Sequence, residues 1–128
     1  MDTQRINYIG WGVVGVAVVA GLIVFFFQGS GAPGKFDEFA KCLNDKGAVF
    51  YGAFWCPHCK NQKASFGKSV DYLNYVECST PDGRGRTKEC EDKKIKGYPT
   101  WEFADGSRES GELTLEKLAE KTSCELPK

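Results

Sequence analysis

The sequence predicts an α/β domain, built on a central mixed sheet with helices on both faces and preceded by one transmembrane helix. Three observations predict it. Tyr8 to Phe27 is a run of 20 residues without a charge. Beyond it, short apolar runs alternate with amphipathic stretches, the pattern of strands interleaved with helices. Near the end, Asp105-Gly106 separates two strand-like runs and marks a hairpin.

At 1.5 Å per residue, a helix over 8–27 spans roughly 30 Å, the thickness of the hydrocarbon core. Tyr8 and Trp11 stand at one end, where amphipathic aromatics favour the interface. A cleaved signal peptide is the rival. It would have a shorter apolar core and a small-residue cleavage site, for which Ser30-Gly31-Ala32 is a poor match. Residues 1–7 then form a short N-terminus, 28–35 (QGSGAPGK) a Gly-rich flexible tether, and 36–128 one small domain.

Within that domain, Phe36, Phe39, Ala40 and Leu43 share one face of a helix that Gly47 ends. Ala48 to Phe54 is continuously apolar, as in a strand buried on both sides. Pro57 suits the first turn of a helix running to about Ser69 and weakened at Gly67. Tyr72 to Cys78 reads as a strand, and Thr87 to Ile95 as a short helix stopped by Gly97. Pro99–Phe103 and Ser107–Gly111 form the hairpin. Thr114 caps a last helix whose Leu115, Leu118, Ala119 and Thr122 share a face. The alternation argues a mostly parallel sheet with an antiparallel edge.

Charge excludes some functions. The 17 Lys+Arg balance 17 Asp+Glu, and the first 34 residues carry only Asp2 and Arg5. No basic stripe points to nucleic acid and no Gly-rich phosphate loop follows a strand. No cofactor is implied.

Six cysteines in so short a chain imply an oxidising compartment. The domain is therefore expected on the extracytoplasmic side of a cell membrane and the N-terminus in the cytoplasm. Cys56-Pro57-His58-Cys59 leaves a buried strand and opens a helix, the context in which CxxC is redox-active. Cys56, at the helix tip, would meet free backbone N–H groups and the positive end of the dipole, which favour a thiolate. Cys59, one turn in, would resolve the mixed disulfide. His58, the one histidine, would tune the pair by charge or by a hydrogen bond to Cys56. A zinc site of Cys56, Cys59, Cys78 and Cys90 competes, but its second half lacks the close spacing of a zinc knuckle. No metal is expected.

The other four cysteines allow three pairings. Cys78 ends a strand and Cys90 lies in the next helix, so Cys78–Cys90 closes locally. Cys42–Cys124 would join the first helix to the C-terminal tail. If those helices stand on opposite faces, only the tail can reach. A relay thiol is the alternative role for Cys42 or Cys124.

The segments Phe39-Ala40-Lys41-Cys42-Leu43, Tyr51-Gly52-Ala53-Phe54-Trp55-Cys56-Pro57-His58-Cys59, Tyr75-Val76-Glu77-Cys78 and Gly97-Tyr98-Pro99-Thr100-Trp101 carry a resemblance. They resemble the thioredoxin superfamily, and more closely the thioredoxin-like domain fused to vitamin K epoxide reductase homologues in bacteria and plants. The likeness covers Phe36 to Pro127 and implies a thioredoxin fold. It further implies that Pro99 is a cis-proline facing the cysteines, that the backbone of Tyr98 pairs with an extended substrate, and that Trp55 flanks the nucleophile. The CPHC motif also matches that of periplasmic thiol oxidases.

The expected function is a membrane-anchored thiol–disulfide oxidoreductase that donates its disulfide to folding proteins. A separate quinone-coupled membrane thiol oxidase, of the vitamin K epoxide reductase type, would reoxidise it. An anchored reductase or isomerase, and a non-catalytic binding module with a structural CxxC, are the alternatives. The sequence departs from thioredoxins at Phe50, six residues before Cys56, where a buried acid normally assists the resolving cysteine.

Overall fold

The computed structural model describes residues 14–21 and 32–128. Residues 14–21 are helical and exposed within their own unit, and Pro33–Lys128 form a second compact unit. Among the described residues no helix is long and apolar enough to cross a membrane. Most of the span expected over 8–27, and half of the tether over 28–35, lies outside them.

The second unit runs α1 (Asp37–Asp45), β1 (Val49–Gly52), α2 (Pro57–Phe66), a 3-10 helix (Gly67–Tyr72), β2 (Tyr75–Glu77), α3 (Lys88–Asp92), β3 (Thr100–Glu102), β4 (Arg108–Ser110) and α4 (Leu115–Thr122). Each expected element is present, most of them two to four residues shorter than expected. Gly67, at φ +55°, ends α2 and starts the 3-10 turn, a conformation that only glycine adopts freely. Thr114 Oγ1 accepts from Lys117 N at 3.1 Å and caps α4. The hairpin closes through Asp105-Gly106 with Gly106 at φ +79°.

Two expectations are corrected. The sheet order is β2-β1-β3-β4, and only β1–β2 is parallel; β3 runs antiparallel to β1, and β4 antiparallel to β3. The reason is the length of α3. Five residues span about 7.5 Å, too little to carry the chain back along the sheet for a parallel crossover. β3 therefore enters from the end at which β2 leaves, which brings Tyr98 and Pro99 beside the end of β1. Nor does Gly97 stop α3. The helix ends at Asp92, Lys94 turns at φ +56°, and Ile95 drops into a core with Tyr51, Cys78 and Cys90.

That small core lies under α3. The larger one collects Phe39, Leu43, Phe50, Phe66, Trp101 and Leu118, so α1, α2 and α4 share the opposite face. Trp101 stacks on Phe50 at 4.9 Å between ring centroids, and its indole N–H donates to Gln62 Oε1 at 3.2 Å. Because α1 and α4 share a face, Cys42 reaches Cys124 directly (S–S 2.06 Å), and Cys78 is joined to Cys90 (S–S 1.99 Å). The second bond uses two thiols of the rival zinc set, which therefore does not form.

Candidate active site

β1 ends at Gly52, and four residues later Cys56 is the N-cap of α2, with extended backbone (φ −75°, ψ 119°). Pro57 occupies the first turn, where its missing N–H leaves no bond unmade. The cap is a sulfur. Cys56 Sγ accepts from Cys59 N at 3.4 Å, so a backbone N–H points at the atom that must carry charge. Cys56 and Cys59 are both free thiols, one helical turn apart.

Across from them stands the Tyr98-Pro99 peptide, which is cis. The Tyr98 carbonyl lies 3.7 Å from Cys56 Sγ. Trp55 donates its indole N–H to Ser79 Oγ at 2.9 Å and sets its ring edge-on to Tyr98, 6.0 Å between centroids. Trp55, Cys56, Pro57, Tyr98 and Pro99 thus converge as expected.

Cys56 is buried, only 5% exposed. Its surface is what remains between Trp55 and Tyr98. It opens into a groove of about 520 Å³ that continues along Gly83–Arg86, Lys96 and Gly97. The sequence marks Pro81 to Gly85 as a loop without marking it as part of the site. It is braced by Thr80 Oγ1, which donates to Asp82 at 2.6 Å and accepts from Gly85 N at 2.8 Å. Arg86 Nε donates to the Tyr98 hydroxyl at 3.0 Å, so one wall of the groove is cationic.

His58 does not hydrogen-bond Cys56. Its Nδ1 meets Glu112 Oε1 at 2.6 Å, and Asn61 donates to the same oxygen at 3.2 Å. His58, then Asn61, holds the Glu112 carboxyl below its usual range. Any tuning by His58 therefore does not run through a direct bond to Cys56. Gln62 explains how Glu112 arrives there. Its buried amide accepts from Leu113 N at 2.7 Å and donates to Leu113 O at 3.0 Å, clamping that strand-like segment onto α2. A polar residue one turn beyond CxxC on an otherwise buried face was the available signal.

Cys59 is 1% exposed, and burial pushes its thiol up to about 12. In the reduced domain the protonated thiol is the favoured form. Its contribution to stability is complete below about pH 9 and is lost as pH rises towards 12. Near pH 8 Cys59 holds about a thousandfold less thiolate than an ordinary cysteine. We expect brief iodoacetamide treatment of the reduced chain to label Cys56 at least about 100-fold faster than Cys59, read by peptide mass spectrometry. Equal labelling would contradict the assignment of attacker and resolver.

Among the described residues, no group of three or more His, Cys, Asp or Glu side chains is placed to hold a metal.

Comparison with known proteins agrees with this geometry. The family model described as Thioredoxin matches residues 32–123. The Arabidopsis thaliana protein named "Thiol-disulfide oxidoreductase LTO1" is 49% identical over 92 residues. That alignment covers 68% of this chain and 24% of the relative, so the chain spans about a quarter of that protein's length.

Proposed function

Because the chain belongs to the thioredoxin family, matched over residues 32–123, we propose that it is a thiol–disulfide oxidoreductase with Cys56 as attacking and Cys59 as resolving sulfur. One observation carries this reading. Cys56 Sγ caps α2, faces the Tyr98 carbonyl beside a cis-proline, and opens into a groove. A substrate disulfide entering along Trp55 and Tyr98 would be attacked by the Cys56 thiolate, forming a mixed disulfide with one substrate sulfur and releasing the other as a thiolate. Cys59 would then attack that disulfide, leaving a Cys56–Cys59 bond and a reduced substrate; the reverse sequence donates the disulfide. The backbone of Tyr98 would hold the substrate extended, and His58 would add charge beside the pair.

The proposal extends to setting and direction. The uncharged run over 8–27 supports a single-pass anchor. The two disulfides support an oxidising, extracytoplasmic location for the domain, with the N-terminus cytoplasmic. There the chain would donate disulfides to cysteine-containing folding proteins. A membrane thiol oxidase of the vitamin K epoxide reductase type would reoxidise it. Phe50, in place of a buried acid on β1, fits a donor better than a thioredoxin-like reductase.

Equilibration of the full chain with glutathione redox buffers tests direction. We expect a potential well above that of thioredoxin, roughly −200 to −120 mV. A value near −270 mV would move the assignment to a reductase. An isomerase would instead rearrange scrambled disulfides without net oxidation. A pair inert to glutathione would leave only a binding module with a structural CxxC.

A further inference from the structure

Cys59 cannot attack as a thiol. Its proton must leave a site that is 1% exposed, and β1 offers no acid or base there, because Phe50 is apolar and fully buried. The neighbouring strand does. Phe50 pairs in register with Tyr75, and Gly52 with Glu77. The Tyr75 hydroxyl donates to Glu77 Oε2 at 2.8 Å. Glu77 Oε1 accepts from Ser79 N at 2.9 Å and Phe54 N at 3.2 Å, which fixes the carboxylate. Glu77 is half-buried, so the pair leads from the interior towards water.

Gly52 shows how close the tyrosine comes to the sulfur. A Cβ built on Gly52 would lie 3.1 Å from Cys59 Sγ, 3.3 Å from the Tyr75 hydroxyl oxygen and 2.9 Å from Tyr75 Cε2. Sulfur and hydroxyl flank one point without a direct hydrogen bond between them, a gap that one water can bridge, and a side chain at 52 would have to wedge between them. Lys63, from α2, places Nζ 3.4 Å from the centroid of the Tyr75 ring, so a positive charge lies beside the same cluster.

We propose that Tyr75 and Glu77 are a proton relay for the resolving cysteine. The Cys59 S–H proton passes through one bridging water to the Tyr75 oxygen while the Tyr75 O–H proton passes to Glu77, giving a Cys59 thiolate and a neutral Glu77 carboxyl. The thiolate attacks the Cys56 sulfur of the mixed disulfide. The Cys56–Cys59 bond forms, the bond to the substrate sulfur breaks, and the substrate leaves as a thiolate. Glu77 then releases its proton to water. Run backwards, the same path protonates Cys59 as it leaves during disulfide donation. Burial and the Glu77 carboxylate push the Tyr75 hydroxyl up, so Tyr75 passes the proton without staying ionised. The charged and titratable groups facing Cys59 are Cys56 and Lys63 from the active-site helix and its cap, and Tyr75 from β2, with Glu77 hydrogen-bonded to Tyr75.

The relay rests on the redox reading above, and one experiment separates the two. The reduced full chain is mixed with an aromatic disulfide, and release of the aromatic thiol is followed by absorbance. The first equivalent reports attack by Cys56, and the second reports resolution by Cys59. We expect Tyr75→Phe and Glu77→Gln to leave the first equivalent unchanged and to slow the second on the order of 100-fold near neutral pH. The deficit should shrink as pH rises, because hydroxide replaces the relay; a merely structural role for Tyr75 would not give that profile. A second equivalent at wild-type rate and pH dependence in both variants would overturn the relay. So would equal slowing of both steps. A wild-type chain that releases no first equivalent would sink the redox assignment and the relay with it.

Discussion

Cys56→Ser is expected to abolish disulfide exchange, with a loss on the order of 10⁴-fold or more, down to the uncatalysed background. A serine keeps the N-cap, because its oxygen can accept from residue 59 N as the sulfur does at 3.4 Å. It removes the nucleophile, because an alcohol at neutral pH holds almost no anion and cannot form a disulfide. Fold and chemistry are thereby separated: thermal stability should hardly change while exchange disappears. Cys59→Ser should behave differently. It keeps the attacker and loses the resolver, so a mixed disulfide should accumulate on Cys56. Intact mass and non-reducing electrophoresis after exposure to a disulfide-containing peptide read both variants. The assignment fails if Cys56→Ser retains more than about a tenth of wild-type exchange, or if the trapped partner sits on Cys59 in the wild type.

The two variants also bear on the limited exposure of Cys56. At 5% exposure, an attacking sulfur is reached only along the groove between Trp55 and Tyr98. A peptide entering extended, with its sulfur leading, meets Cys56 before Cys59. A compact alkylating agent and a folded protein disulfide should therefore differ in rate more than their chemistry alone would give. The cationic wall at Arg84, Arg86 and Lys96 lies along that path.

What could be read from the chain follows the range of the signals. Local ones were legible. Pro57 after a sulfur cap, Gly67 after a helix, Asp105-Gly106 between strands and Thr114 before an apolar stripe each decide their own neighbourhood, and each stands where expected. Cys56 and Cys59 belong to this group, since their roles depend on a strand-to-helix junction written in consecutive residues. The direction of β3 was less accessible. It depends on how far α3 carries the chain, and α3 ends early because Ile95 is drawn into the core beside the Cys78–Cys90 bond. Longest in range were the contacts that tune the site. Glu112 meets His58 across 54 positions through the Gln62 clamp, and Tyr75 approaches Cys59 from another strand. Gln62 signals a polar contact on a buried face, but neither neighbourhood of the sequence names the partner. Those meetings follow from the sheet register.

Removing the bond between Cys42 and Cys124 should have the largest effect on stability. The cysteines are 82 positions apart, so the bond closes a loop of almost the whole domain. Chain entropy assigns such a crosslink roughly 4.5 kcal/mol, against about 3 kcal/mol for Cys78–Cys90 with its separation of 12. For a domain of this size, total stability is on the order of 5–15 kcal/mol, so the long bond is a large share of it. The double variant Cys42→Ala with Cys124→Ala leaves no stray thiol. It should lower Tm by roughly 20 °C in the oxidised chain. The C-terminal tail should loosen first, because beyond α4 only Cys124 and Leu126 belong to or pack against the main core. Hydrogen exchange should show protection lost across α4 and the start of α1 before β1 and β3. Exchange chemistry at Cys56 should survive below the new Tm, since neither cysteine touches the groove. A Tm within about 5 °C of wild type would show that packing among Phe39, Leu43 and Leu118 already holds these helices together. Loss of redox activity at low temperature would instead restore the alternative of a relay thiol at Cys42 or Cys124.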